Sequence, residues 1–563
     1  MISKKWCMLP SSNGESTVDS DFGEKEFQTQ LLFNRGINSI QEGRAFIDAD
    51  SSLAHDPMLL YDMERAVYRV KKAIDAKEII GIFGDFDADG VTGTALLILA
   101  LRALGARVVP YLPHRNSEGH DLNIEAVKKL SQKGVSLLIT VDCGATAVNE
   151  INIASNLNID TIVTDHHTMD TAVPEAFAVI NPRHPSSTYP FNGLTGVGMA
   201  YKLIEALHKH MQLKTPVHLM ELVAIGTVAD VGMLKGENRY MVKKGLHFIN
   251  TTQNLGIRTL AEIAKLNLGS LDTEGLSFGL IPRINVAGRL DHAYTSLRLL
   301  ISNNREEAKE LASILERKNL ERRKLTDAAF KEAQRQVGAE ERVNGVPSII
   351  FVASENWLPG VLGLIASKLA DYYHRPAIAI ALGNEQSRGS ARSIPEFDMI
   401  HALQKNEDVF ERFGGHPEAA GFTIPTEHLH LLQNRMRHIA DRHLFGKELT
   451  PKLFLECEIS PVKLSGTNLA FLMSLEPFGE GNPKPVFLAR KALVVDAMKV
   501  GAEKQHIKMK VKHGGQIWDA ISFRTAYKFD SNCMVYDLAY SFGFNTWNGK
   551  TSIQLTVEDF RTA

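Results

Sequence analysis

Asp85, Asp87 and Asp89 stand at alternate positions in Gly84-Asp85-Phe86-Asp87-Ala88-Asp89-Gly90. Three carboxylates so close repel one another unless a cation lies among them. Further along come Asp142-Cys143-Gly144, then Asp165-His166-His167, then Asp230 at the end of Ala224-Ile225-Gly226-Thr227-Val228-Ala229-Asp230. Carboxylates joined by one or two imidazoles, without a thiolate set, suit Mn²⁺ or Mg²⁺ rather than structural zinc. Two such ions about 3.5–4 Å apart share a water, lower its pKa and clamp the attacking and leaving oxygens of a phosphoryl centre. Each group also has a plainer reading. An aspartate after a strand commonly caps the next helix, and a histidine pair is often a hydrogen-bonded surface or core feature. An EF-hand loop starting at Asp85 would need a bidentate Glu at its twelfth position, where Leu96 stands. A covalent phosphatase nucleophile at Asp87 would leave the other acidic turns without a role. Cys143 reads as packing, because free cysteine tends to be buried.

The apolar run Ile79-Ile80-Gly81-Ile82-Phe83 reads as a strand, and Val91 to Leu104 as a helix. Strand, acidic turn and helix together mark the place where an open α/β sheet puts its ligand. Upstream, Met58 to Lys77 is amphipathic, with Leu60, Met63, Ala66, Val67, Val70 and Ile74 on one face. Downstream, strand patterns at Arg107–Tyr111, Val135–Val141 and Thr161–Thr164 alternate with helices from Asn123 and Ala145. This predicts a parallel, doubly wound sheet that delivers its acidic strand ends to one rim.

The remaining composition sets bounds. The length of 563 residues suits about three or four domains, and 44% hydrophobic residues supply real cores. A net charge of −2 carries no global field for a polyanion, so a nucleic-acid groove must be local. Cys7, Cys143, Cys457 and Cys533 form no CxxC pair, which excludes a zinc-finger framework and fits a reducing compartment. The amino terminus lacks an apolar signal core, and the longest apolar span is too short to cross a bilayer, so the expected location is cytoplasmic. Ser11 to Asp21 reads as loop.

In their order, Asp87-Ala88-Asp89, Asp142, Asp165-His166-His167 and Asp230 resemble the motifs of the DHH phosphoesterase superfamily. Further blocks are similar to its RecJ family of single-strand-specific exonucleases, over about residues 30 to 560. They include Leu194-Thr195-Gly196-Val197-Gly198, Arg283-Ile284-Asn285-Val286-Ala287-Gly288-Arg289-Leu290, Phe413-Gly414-Gly415-His416 and Glu476-Pro477-Phe478-Gly479-Glu480-Gly481-Asn482-Pro483. The resemblance implies two ions, Mn²⁺ or Mg²⁺. Asp87 and Asp142 would hold one; Asp89, Asp142, His166 and Asp230 the other, with Asp142 bridging. His167 would lie near the scissile phosphate, so that Asp142, His167 and Asp87 carry the catalysis. Many family members have a His at the position of Phe83, which cannot ligate; Asp85 or water would fill in there.

Substrate contacts are expected downstream. Arg283 and Arg289 flank a Gly-containing turn, and guanidinium forks suit phosphate. Gly389-Ser390-Ala391-Arg392-Ser393 reads as a backbone nest for a terminal phosphate, with Ser390 and Arg392 as donors. It resembles a family Gly-Ser-Gly-Arg-Ser element, with Ala391 in place of Gly. Gly414, Gly415 and His416 would let a strand approach closely. Leu358, after Trp357, stands where the family usually has His.

The predicted organisation is an N-terminal extension (1–50), a DHH domain (51–304), a connector helix (305–337), a second α/β domain of DHHA1 type (338–447) and an OB-type barrel (448–563). Six short strands define the barrel: Leu453–Ile459, Leu493–Val500, Ile507–Val511, Ile517–Phe523, Val535–Phe542 and Ser552–Val557. One or two of Trp518, Phe523, Tyr540, Phe542, Phe544 and Trp547 would stack bases beside Lys508, Lys510 and Lys512. The groove between the two α/β domains would admit one strand and exclude a duplex. The expected activity is a metal-dependent 5′-to-3′ exonuclease on single-stranded DNA in repair and recombination, monomeric and fed by a helicase or a single-strand-binding protein. The alternatives are a phosphodiesterase on oligoribonucleotides or cyclic dinucleotides, or an inactive replication scaffold of the Cdc45 type. Such scaffolds have lost metal ligands that this chain keeps.

Overall fold

The fold is described from a computed structural model. It covers every residue except 1–2, 12–23, 116, 170–171 and 548–549, and leaves aside the side chains of 343–344, 545–547 and 550–551. The expected loop at 12–21 and the Trp547 side chain therefore lie outside the described residues. The chain divides into two compact units, residues 54–232 with 236–449, and residues 3–53 with 233–235 and 450–563.

The first unit is built on five parallel strands: β1 (Ile79–Gly84), β2 (Arg107–Tyr111), β3 (Val135–Val141), β4 (Asp160–Thr164) and β5 (Ala178–Ile180). Their order is β2-β1-β3-β4-β5, so the chain reverses direction across the sheet between β1 and β3. At such a switch point the loops after the two strands part and leave a crevice. Apart from the edge strand β2, the strands are buried on both faces and so carry continuous apolar runs. Helix α1 (Ala88–Ala103) is apolar nearly all round because it is enclosed: Val91, Ala95, Leu96, Leu97 and Ile98 are all fully buried. It packs against α2 (Gly196–His210) and α3 (Met220–Ala229).

Inside this packing, Glu221 in the first turn of α3 is buried, and its carboxylate accepts from the Thr252 hydroxyl at 2.5 Å. Burial pushes its pKa up to about 7, against the pull of the Thr252 bond. Its folded value lies above the unfolded one, so stability is full below about pH 4.5 and falls as pH rises through 7. Glu221→Gln should therefore raise stability by about 3 kcal/mol at pH 8, with the gain shrinking toward pH 5. Chemical denaturation at the two pH values checks this; equal gains at both would contradict it.

Helix α4 (Ile281–Leu290) precedes α5 (Arg305–Asn344), which runs seven residues past the expected end at 337 and straight through Gly338. Asn304 caps its start by accepting from the amides of Glu306 and Glu307. Its basic cluster is partly committed to packing, with Lys318 paired to Asp291 and Arg322 bonded to Asn319. A second sheet follows: β6 (Ile350–Ser354), β7 (Ala377–Ala381), β8 (Gln386–Arg392), β9 (Arg412–Gly415) and β10 (Ala419–Pro425), in the order β9-β10-β8-β7-β6. Trp357 packs: it is buried and donates to Glu332.

The second unit holds a closed barrel of five strands: β11 (Phe487–Val500), β12 (His506–His513), β13 (Gln516–Ser522), β14 (Val535–Trp547) and β15 (Lys550–Thr562). The first expected barrel strand, Leu453–Ile459, is divided: residues 456–459 bond alongside the start of β11 without joining the closed barrel. Lys452–Leu455 pairs in parallel with Lys5–Met8. The helix Glu24–Phe33 also belongs to this unit, and its Phe27 and Leu31 are fully buried with Leu472, Phe487 and Tyr540. Of the barrel aromatics, Tyr540 is core and Trp518 and Phe542 pack against it, whereas Phe523 and Phe544 are exposed. Lys508, Lys510 and Lys512 alternate outward along β12.

Candidate metal and phosphate site

Asp85 and Asp87 follow β1, Asp142 follows β3 and His166 follows β4, all at the switch-point rim. Asp87 is held in the turn by its own helix cap. Its Oδ1 accepts from the amides of Asp89 and Gly90, capping α1, and Asn285 of α4 accepts from the next amide, Ala88. Both oxygens of Asp89 accept amides at the start of α2, from Gly196 at 2.7 Å and Val197 at 2.9 Å. Asp142 sits in the left-handed region with φ 61°, a conformation open to Asp and Asn. This turn points its carboxylate at His166, whose Nε2 lies 3.0 Å from Asp142 Oδ1 and 3.7 Å from Asp230 Oδ2. Asp230 arrives differently from the others, because its apolar run folds as helix α3 and leaves it at the helix end.

Among the described residues the ligand atoms gather in two neighbouring groups, Asp85, Asp87 and Asp142 in one and Asp89, His166 and Asp230 in the other, with a third, Asp142, Asp165, His166 and His167, overlapping both; the atoms of each lie within 4.8 Å of one another. Their electrostatics fit cations. Burial, then the neighbouring carboxylates, hold Asp85, Asp89 and Asp142 well above the usual range, and Asp230 is pushed up to about 7. Asp85 Oδ1 is buried with no hydrogen-bond partner. Phe83 turns away into the core, stacked on Tyr111, so Asp85 is the third carboxylate of its group.

The two histidines are set apart by their surroundings. Burial and the charge of His167 push His166 down to about 3, leaving a neutral imidazole fit to ligate. His167 is half-exposed and its Nδ1 lies 2.7 Å from Asp165; despite burial, this bond lifts it to about 9. Asp165 is spent on structure, accepting also from the amides of Ala145, His166 and His167. Gly196 has no room for a side chain, since a Cβ there would lie 2.3 Å from Cβ of Asp142. Gly196→Ala should therefore displace Asp142 and weaken Mn²⁺ uptake by at least about tenfold, read by calorimetric titration; undiminished uptake would mean the site absorbs the methyl elsewhere.

Cationic groups adjoin the acidic ones. Arg289 on α4 donates to the Gly360 carbonyl, and burial with the charges of Arg115, Arg322 and Arg392 lowers it to about 9, against the attraction of Asp87. Arg392 lies beside Ser390 Oγ at 3.4 Å. Their segment is not a nest, however. Ser390 and Ala391 are extended in β8 and paired on both sides, so their amides are committed to the sheet and Ala391 carries no backbone penalty. Arg283 is not brought to the cluster: its guanidinium is committed to Glu316 at 2.5 Å and to the Gly279 carbonyl. Gly414, Gly415 and His416 lie on the exposed β9–β10 hairpin, with His416 close enough to act on the charge of His166.

Sequence reasoning passed over Arg115. Its Nε donates to the Gly288 carbonyl at 3.0 Å, its guanidinium stacks 3.9 Å above Phe86, and it is attracted by Asp85 and Asp87. These partners are remote in sequence, and the only local sign is an arginine soon after a strand end.

Three family profiles match the chain: the DHH family, N-terminal domain, over 79–227, the DHHA1 domain over 345–441, and the RecJ OB domain over 455–559. The single-stranded-DNA-specific exonuclease RecJ of Bacillus subtilis is 36% identical over 536 residues, covering 94% of this chain and 67% of that protein. The protein of the same name from Haemophilus influenzae is 34% identical over 524 residues, covering 89% and 91%. The crystal structure of RecJ in complex with Mn²⁺ from Thermus thermophilus superposes with a TM-score of 0.83 at 28% identity, covering 99% of this chain and 80% of the other. The chain belongs to the RecJ family of single-stranded-DNA-specific exonucleases.

Proposed function

We propose that this protein is a divalent-metal-dependent exonuclease that degrades single-stranded DNA from its 5′ end and releases 5′-mononucleotides. One observation carries the reading: two groups of carboxylates, each with one buried member, lie close to a cluster of arginines whose mutual repulsion, with burial, lowers the pKa of Arg289. Asp85, Asp87 and Asp142 would hold one Mn²⁺ or Mg²⁺, and Asp89, Asp142, His166 and Asp230 the other. When bound, the ions supply an acidified water and neutralise charge at the phosphoryl centre. The chain's own groups do the rest. His167, cationic and held by Asp165, donates to a phosphate oxygen. Arg115, Arg289, Ser390 and Arg392 would take the terminal phosphate and so fix which end enters. The Gly414–His416 hairpin would flank the strand.

The domain limits we propose are 51–304 and 448–563 as expected from the sequence, with the connector helix carried on to Asn344 and the N-terminal extension joined to the barrel unit. Phe523 and Phe544, exposed on the barrel, support base stacking there. We further propose that the protein acts as a monomer in the cytoplasm on strands supplied by a helicase or a single-strand-binding protein. No helix among the described residues is long and apolar enough to cross a membrane.

The test is digestion of a single strand labelled separately at each end, with Mn²⁺ or Mg²⁺, beside a blunt duplex. The 5′ label should leave first, as a mononucleotide, and the duplex should survive. Release of the 3′ label first would refute the polarity, and intact single strands with both metals would refute the activity.

A further inference from the structure

Asp121 has no place in either ligand group, yet its carboxylate joins two segments of the site. Its Oδ1 accepts from the amides of Gly144 at 3.0 Å and Leu122 at 2.7 Å, and its Oδ2 from the Thr146 hydroxyl at 3.0 Å. Gly144 and Thr146 belong to the turn that begins at Asp142. In that turn Asp142 at φ 61° and Gly144 at φ 101° are both left-handed; the glycine adopts this freely, whereas Asp142 carries a modest cost that outside contacts must offset. The turn's outside supports include the Thr164 carbonyl on the Asp142 amide, the Thr140 hydroxyl on the Cys143 carbonyl, Asp165 on the Ala145 amide, and Asp121 on Gly144 and Thr146. Only Asp121 comes from the segment that also carries Arg115.

We propose that Asp121 is a positioning residue that locks the Asp142 turn to the Arg115 segment, so that one strut sets both metal uptake and phosphate binding. The inference rests on the two-metal reading above. Removing the strut frees a left-handed turn to relax, and Asp142 moves out of line with His166. The Arg115 segment loses its hydrogen bonds to that turn but keeps the Arg115 contacts with Gly288 and Phe86, so the phosphate defect is the smaller of the two.

The experiment is calorimetric titration of the full chain with Mn²⁺ alone, followed by cleavage kinetics on a 5′-phosphorylated single strand. Asp121→Ala should bind Mn²⁺ about tenfold more weakly, as loss of a group supporting a ligand does. It should also raise KM, while excess Mn²⁺ restores much of kcat. Asp121→Asn keeps an oxygen acceptor for the two amides and should recover most of the Mn²⁺ affinity. Should Asp121→Ala fail to fold, Thr146→Val serves instead, with about threefold weaker Mn²⁺ binding from the loss of one hydrogen bond. Mn²⁺ affinity equal to wild type in Asp121→Ala or in Thr146→Val would overturn the role of Asp121. A wild-type chain that takes up no Mn²⁺ would overturn the two-metal reading itself, and this inference with it.

Discussion

Asp142→Asn should lower exonuclease activity by at least about 10³-fold while making the metal-free protein more stable. Asp142 is the carboxylate nearest both ligand groups, so its loss weakens both ions and the several kcal/mol of charge stabilisation they provide. Without metal the same carboxylate is a burden, since burial and Asp89, Asp87, Asp230 and Asp85 all disfavour its charge. Asparagine keeps the shape and tolerates the left-handed backbone at φ 61°. Alanine would add backbone strain to the measurement. The metal-free variant should melt higher than the wild type, because the neutral amide relieves both the burial of charge and the repulsion from its neighbours. Scanning calorimetry in chelator and in Mn²⁺ reads both halves: the wild type is stabilised by Mn²⁺ and the variant is not. A variant that melts lower in chelator would show that Asp142 is not strained by its neighbours.

The second large effect is expected at Arg392. Arg289 is held down at about 9 by burial and by Arg115, Arg322 and Arg392, a cost that an anion among them would remove. Arg392→Ala should reduce kcat/KM on 5′-phosphorylated strands by about 10²-fold, the worth of one or two charge-assisted hydrogen bonds. On strands with a 5′-hydroxyl the change should be within a few fold, because no terminal phosphate is there to lose. Parallel kinetics on the two substrates separate this role from general damage. Equal losses on both would place Arg392 outside the terminal-phosphate contact.

Much of this architecture was legible beforehand, and the exceptions share a cause. Strands Arg107–Tyr111 and Val135–Val141 have the bounds expected, since short β-branched runs between turn residues leave little freedom. The run ending at Asp230 is apolar save for Thr227, so it satisfies both helical and strand periods; enclosure by α1 and α2 selects the helix. Gly288 looks like a turn glycine but lies within α4, where it admits the Phe86 carbonyl; a Cβ would approach it to 2.5 Å. Gly389 likewise serves close packing, against the ring of Phe422, rather than a nest. The carboxylate and histidine ligands were visible because each sits at a strand or helix end with its type written locally. Arg115 and Asp121 were not, because what gives them meaning is a partner brought in from elsewhere by the sheet.

The helix Glu24–Phe33 has a consequence for synthesis. Phe27 packs against Phe487, Trp6 bonds Asp559, and Arg561 covers the Trp6 ring. These amino-terminal residues leave the ribosome more than four hundred residues before the partners they pack against. Until then an apolar helix face waits in solution, a hazard that grows with the delay. Nascent chains halted before residue 487 should therefore be cleaved readily within 24–33, and chains released at full length should not.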